Sequence, residues 1–171
     1  EVLTERGFMT ALGNSVTVSV CSALLATVLA FFLAYSIQYT NLNKNFKSLI
    51  RTLAVLPMLL PTITYGFAII YSFGKQGLLT KLFGRQLFDI YGFNGLLFGY
   101  VIYTLPISFM LILNTMGFID KKFMVVSRVM GDSAARTFWQ TIIRPLLGTL
   151  AASFVQCFFL CFTDYGIPAS V

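Results

Sequence analysis

Few residues in this chain can do chemistry, and their spacing rules out most of it. There is no histidine, and the three cysteines, Cys21, Cys157 and Cys161, all fall in apolar runs. Cys157 and Cys161 are spaced to share one helix face, but two thiols without further ligands do not make a zinc site. They read as small buried hydrophobes. The chain has no Ser-His, Cys-His or paired-carboxylate arrangement, so no catalytic residue is assigned. The phosphate-cradling pattern G-x-x-x-x-G-K-S/T is also absent. No metal site and no bound cofactor are therefore expected.

One stretch carries groups suited to gripping another surface. Phe118 to Pro145 holds Lys121, Lys122, Arg128, Arg136 and Arg144 against only Asp120 and Asp132. Its pattern predicts two short amphipathic helices hinged at Gly131, which suits the left-handed residue that ends a helix. Asp120 is placed to cap the first helix and Asp132 or Ser133 the second. Pro145 marks the start of the next element. Phe123, Val126 and Met130 share a face of the first helix; Ala134, Ala135, Phe138, Trp139 and Ile142 share one on the second. The chemistry on offer is contact chemistry. Phe138 and Trp139 present rigid aromatic area, and Arg128 and Arg136 present charge for carboxylates.

The elements that must hold this stretch are apolar. The chain is 57% hydrophobic and 11% charged, against about 25% charged residues in ordinary soluble domains. No charge occurs in residues 7–43, 52–74, 90–119 or 145–163. Each window can supply a span near the ~20 residues that cross a bilayer. The fold class is all-α: a polytopic membrane helical bundle in a single domain over residues 1–171. Four transmembrane helices are predicted, at Ser15–Gln38, Leu49–Phe73, Asn94–Met116 and Pro145–Phe162. Pro57 and Pro61, one turn apart, should bend or break the second, with Thr62, Thr64 and Gly66 near the freed carbonyls. Residues 74–84 suggest a short interfacial helix.

The net charge of +6 lies in the loops, which points to orientation signals and away from nucleic acid. Lys44, Lys47 and Arg51 share the cytoplasmic side with the 118–145 loop, and residues 75–89 lie outside. Asn14, Tyr103, Asn114 and Gln156 are weakly polar groups in or beside spans, and so candidates for a substrate path; helix packing would use such groups equally well. Asp164 stands beside the outer end of the fourth span, where capping or solvation accounts for it. The chain opens on Glu1, with no signal-peptide pattern, and so reads as part of a longer protein. An ion-coupled secondary transporter or channel half is the alternative class. It would place ionisable groups inside the spans, and none occurs there before Asp164.

The 118–145 segment resembles the cytoplasmic loop of bacterial ABC importer permeases. The family pattern is Glu-Ala-Ala, three residues, Gly, nine residues, Ile-x-Leu-Pro. Gly131 takes the glycine, Phe138-Trp139 match the aromatic pair after it, and Ile143 and Pro145 stand near the end. Val125, Val126 and Ser127 replace Glu-Ala-Ala, and Pro145 comes one position late, behind Arg144. The TDYGIP run at residues 163–168 is similar to the branch serving ferric iron, polyamines and 2-aminoethylphosphonate. The resemblance implies a multi-pass permease of the bacterial inner membrane, with a further span after residue 171. It implies a pore shared by two permease modules, in a homodimer or as fused halves, and fed by an extracytoplasmic solute-binding protein. Separate ATP-binding subunits would hold ATP and Mg and push on the loop through Arg128, Gly131, Ala134, Ala135, Phe138, Trp139 and Pro145.

Overall fold

The structure, a computed structural model, describes residues 6–85 and 90–169. Residues 1–5, 86–89 with Asp89 of the outer loop, and 170–171 lie outside the described set. Among the described residues there is no strand. The elements are α1 (Arg6–Tyr39), α2 (Lys44–Val55), a 3-10 turn (Leu56–Leu59), α3 (Thr62–Phe73), α4 (Leu78–Phe83), α5 (Phe93–Gly117), α6 (Lys122–Val129), α7 (Ala134–Phe138), a π turn (Trp139–Ile143) and α8 (Arg144–Thr163). Among the described residues three helices are long and apolar enough to cross a membrane: Gly7–Tyr39, Phe93–Gly117 and Ala134–Thr163. The count reaches four if the bent α2–α3 pair is one span. α1 begins well before the expected Ser15.

The three long helices form the core. α1 presents Ala23, Ala26, Ala30 and Ala34, all fully buried, with Ser19 and Ser22 on the same side. Small side chains let backbones approach closely, which is how helices associate where lipid is as apolar as leucine. Ala30, Phe31 and Ala34 pack with Phe109, Ile112 and Met116 of α5 and with Ile142 and Leu146. A polar seam joins α5 to α8. Ser153 Oγ donates to Ser108 Oγ at 2.8 Å, and Ser108 Oγ lies 2.8 Å from Cys157 Sγ. Both cysteines of α8 are buried, as expected, but Cys157 also takes part in this hydrogen-bond chain.

The second span breaks where the prolines stand. Pro61 has no N–H for the carbonyl of Pro57, and the chain turns by 110° between residues 59 and 62. The freed carbonyl is met by Leu60 N at 3.0 Å and by the Tyr65 hydroxyl. Tyr65, rather than Thr62 or Thr64, is the side chain that staples the corner. α2 starts before the expected Leu49 because its apolar residues alternate with Lys44, Lys47 and Arg51 at helical spacing. The twelve residues of α3 rise about 18 Å, short of the ~30 Å hydrocarbon core.

The chain leaving α8 closes that break. Asp164 Oδ2 accepts from Ile167 N at 2.9 Å, which shapes a tight turn. Ile167 is fully buried against Val18, Tyr65, Tyr100 and Cys161. A Cβ on Gly166 would lie 2.3 Å from Thr62 Oγ1, and one on Gly99 would lie 2.9 Å from Ile167 Cγ2. Both glycines are therefore positions of close approach.

Candidate functional site

The elbow between α6 and α7 is built from local chemistry. Asp120 Oδ1 accepts from Lys122 N at 2.9 Å, capping the first turn of α6. α6 ends in a Schellman motif: Gly131 has φ +83°, its N–H reaches Arg128 O at 3.1 Å, and Asp132 N reaches Ser127 O at 3.1 Å. Ser133 Oγ then accepts from Arg136 N and caps α7. The two helices are pinned across the turn. Ser127 Oγ donates to Asp132 Oδ2 at 2.7 Å and lies 2.9 Å from Thr137 Oγ1. Ser127 and Thr137 are buried, so these bonds are shielded from competing water. Arg136 Nε stands 3.4 Å from Asp132 Oδ1, with its own side chain largely exposed. A pair so exposed adds little stability.

Pro145 stands in the first turn of α8, as expected, while α7, the π turn and α8 run on as one helical stretch of 30 residues, Ala134–Thr163. Pro145 has no N–H to offer Thr141 O, and its ring would crowd that carbonyl. The π turn just before it, closed by Arg144 N to Trp139 O, widens the helix and relieves the crowding. The elbow is thus fixed directly to a membrane helix about 45 Å long.

The sequence candidates divide among different surfaces. Ala134 and Ala135 are exposed beside Gly131 at the elbow. Trp139 is 57% exposed. Phe138 is half-buried and turns inward, its ring edge-on to Tyr35 at 5.7 Å and to Phe31 at 6.3 Å. Pro145 lines a cleft of ≈ 580 Å³ with Phe118, Phe123, Val126 and Met130, of which Phe118 and Met130 are strongly exposed. Exposed apolar groups gathered in this way mark an interaction surface. Arg128 lies across α6 from that cleft, on the face shared by Lys121, Met124 and Val125. The pinning residues Ser127 and Thr137 are not among the sequence candidates, and Asp132 is there only as a cap. Their pairing crosses the turn at separations that no helical period marks.

The four path candidates are not gathered in one described cavity. Asn14 lines a cavity of ≈ 420 Å³ with Ser15, Ser19, Tyr100 and Asp164. Tyr103 packs 6.0 Å from the ring of Tyr65. Asn114 and Gln156 are exposed on α5 and α8. Among the described residues no three His, Cys, Asp or Glu side chains cluster as ligands.

The family described as binding-protein-dependent transport system inner membrane component matches residues 7–171. The chain is 25% identical over 172 residues to a protein of Haemophilus influenzae named as a ferric transport system permease, FbpB 1. That alignment covers 98% of this chain and 27% of the relative. A ferric transport system permease protein FbpB of Actinobacillus pleuropneumoniae is 27% identical over 120 residues, covering 67% of this chain and 18% of the relative. The chain thus spans about a quarter or less of the length of these curated relatives.

Proposed function

This chain belongs to the binding-protein-dependent transport system inner membrane component family, and from that premise we propose that it forms part of the solute pathway of an ATP-driven importer of ferric iron. Of the three substrates implied by the TDYGIP resemblance, ferric iron is the one named in both relatives. The partners are ATP-binding subunits holding ATP and Mg, a second permease module and an extracytoplasmic solute-binding protein. The setting is the bacterial inner membrane.

The observation that carries this reading is the unbroken helix from Ala134 to Thr163. At one end it is pinned to the elbow by Thr137 and Ser127. At the other it leads into the turn whose Gly166 and Ile167 seat on α3 and α5. A packed helix transmits displacement because its interior is not compressible. A push on the elbow is therefore delivered to the broken second span. Trp139, Ala134 and Ala135 supply the contact surface for the ATPase, and Gly131 sets its angle. Asn14 meets the solute at the cavity it lines. Asn114 and Gln156, on outward faces, are available to line a pore against the second module.

Reconstituted vesicles holding the permease, its ATPase and its binding protein test this reading. ATP-dependent uptake of radioactive ferric iron is expected, with Gly131→Val lowering uptake per ATP hydrolysed. Uptake that proceeds without ATP, or uptake of a polyamine in place of ferric iron, would refute it.

A further inference from the structure

We propose that the basic corner between the end of α1, the start of α2 and α6 binds the phosphate of an anionic phospholipid headgroup. The corner holds a cavity of ≈ 270 Å³ lined by Gln38, Tyr39, Lys47, Lys121 and Arg128, with no carboxylate among the described residues of its wall. Lys121 Nζ donates to Gln38 O at 2.9 Å and sits 5.8 Å from the Tyr39 ring centre. Those contacts hold the ammonium at the cavity and leave two of its three donors for a ligand. The ion pair found among the described residues, Arg136–Asp132, joins α7 to the turn before it and neutralises none of these cations. Three converging cations in a concave site without a counter-charge focus a positive potential, which selects an oxyanion.

The surroundings identify which oxyanion. The cavity stands where a membrane-crossing helix ends, the depth at which headgroups lie. From it α2 departs as an amphipathic helix, with Lys44, Lys47 and Arg51 along one stripe and exposed Phe46, Leu49 and Leu53 on the opposite one. The exposed apolar stripe seats α2 in the acyl region, so the basic stripe and its cavity stand at headgroup depth, where the oxyanion at hand is a phospholipid phosphate. Arg128 faces this corner from the side of α6 opposite the elbow cleft. The proposal does not depend on which solute is carried.

The test is native mass spectrometry of the assembled permease in detergent, titrated with phosphatidylglycerol or phosphatidylcholine. Phosphatidylglycerol should be retained the more tightly. Lys47→Gln and Lys121→Gln should each weaken it about five-fold, the attraction of one basic side chain to an anionic leaflet, and leave phosphatidylcholine unaffected. Lys121→Arg, which keeps the positive charge, should retain binding. Arg51→Gln, on the same helix but outside the cavity, should stay close to the unaltered protein. Equal retention of both lipids, or unchanged phosphatidylglycerol binding in the two glutamine variants, would overturn the proposal. So would a loss in Arg51→Gln as large as in Lys47→Gln, or displacement of the lipid by excess inorganic phosphate, which would make this a soluble-anion site.

Discussion

Adding one methyl group at Gly166 should loosen the end of the bundle where the chain leaving α8 meets α3. In Gly166→Ala the new Cβ would fall 2.3 Å from Thr62 Oγ1, 3.1 Å from Thr62 Cβ and 3.0 Å from Ile63 N. Two of those atoms cannot swing away, since one is backbone and the other is the branch point of the threonine. The turn from Asp164 to Ile167 must therefore lift from α3, drawing Ile167 from its site against Tyr65 and Tyr100. Overpacking of this kind costs about 1–3 kcal/mol, and a 2 kcal/mol loss lowers the melting midpoint by roughly 4–8 °C in a domain of this size. Cys157 and Cys161 are 0% and 2% exposed, so a thiol-reactive fluorophore reads the opening of α8 directly. Gly148→Ala is the control: it has nothing within 4 Å of the added Cβ, and replacing a helical glycine with alanine there should stabilise by about 0.5–1 kcal/mol. Thr62→Ala combined with Gly166→Ala should recover part of the loss, since the two sites touch. A Gly166→Ala protein that melts with the parent, or a double variant whose losses merely add, would refute the close-approach reasoning.

Cysteines placed at Lys47 and Lys122 should react only from the cytoplasmic side and one at Lys81 only from outside; labelling of the Lys122 position from outside would invert the topology. Trp139→Ala should keep the melting midpoint yet reduce co-purification of the ATPase, whereas Phe138→Ala should lower the midpoint as well, because its ring contacts Phe31 and Tyr35. Gly131→Val should weaken the elbow by about 1–2 kcal/mol through its positive φ alone, since nothing lies within 4 Å of the added Cβ; Gly131→Asn should lose less, and the two are compared by hydrogen exchange at residues 127–137. Ser153→Ala should cost only ~0.6 kcal/mol, the average for interhelical hydrogen bonds in membranes, measured by the same thermal assay.

Features that depend on a few neighbouring residues, or on charge along one dimension, were open to reading from the chain alone. Hydrocarbon excludes charge, so the charge-free windows mark the spans. Gly131, Asp120 and Ser133 serve backbone groups within five residues of themselves, so the elbow is legible as a local pattern. Pro57 and Pro61, one turn apart, mark a bend or break in their helix from the sequence alone. Tertiary structure decided the rest. Phe138 and Trp139 are adjacent aromatics about 100° apart on a helix, and only the position of Phe31 and Tyr35 on α1 turns one inward and leaves the other exposed. Pro145 can open a helix or be carried through one. The burial of Ile142 and Leu146 against Phe109 and Met116 holds both sides of it in one line, with the π turn absorbing the ring. The bonds from Tyr65 to Pro57 and from Ser127 to Thr137, and the seat of Ile167 beside Gly99, join groups that no helical period brings together. The first two follow from how the α2–α3 and α6–α7 turns fold back on themselves, and the third from a small residue that lets the chain after α8 approach α5.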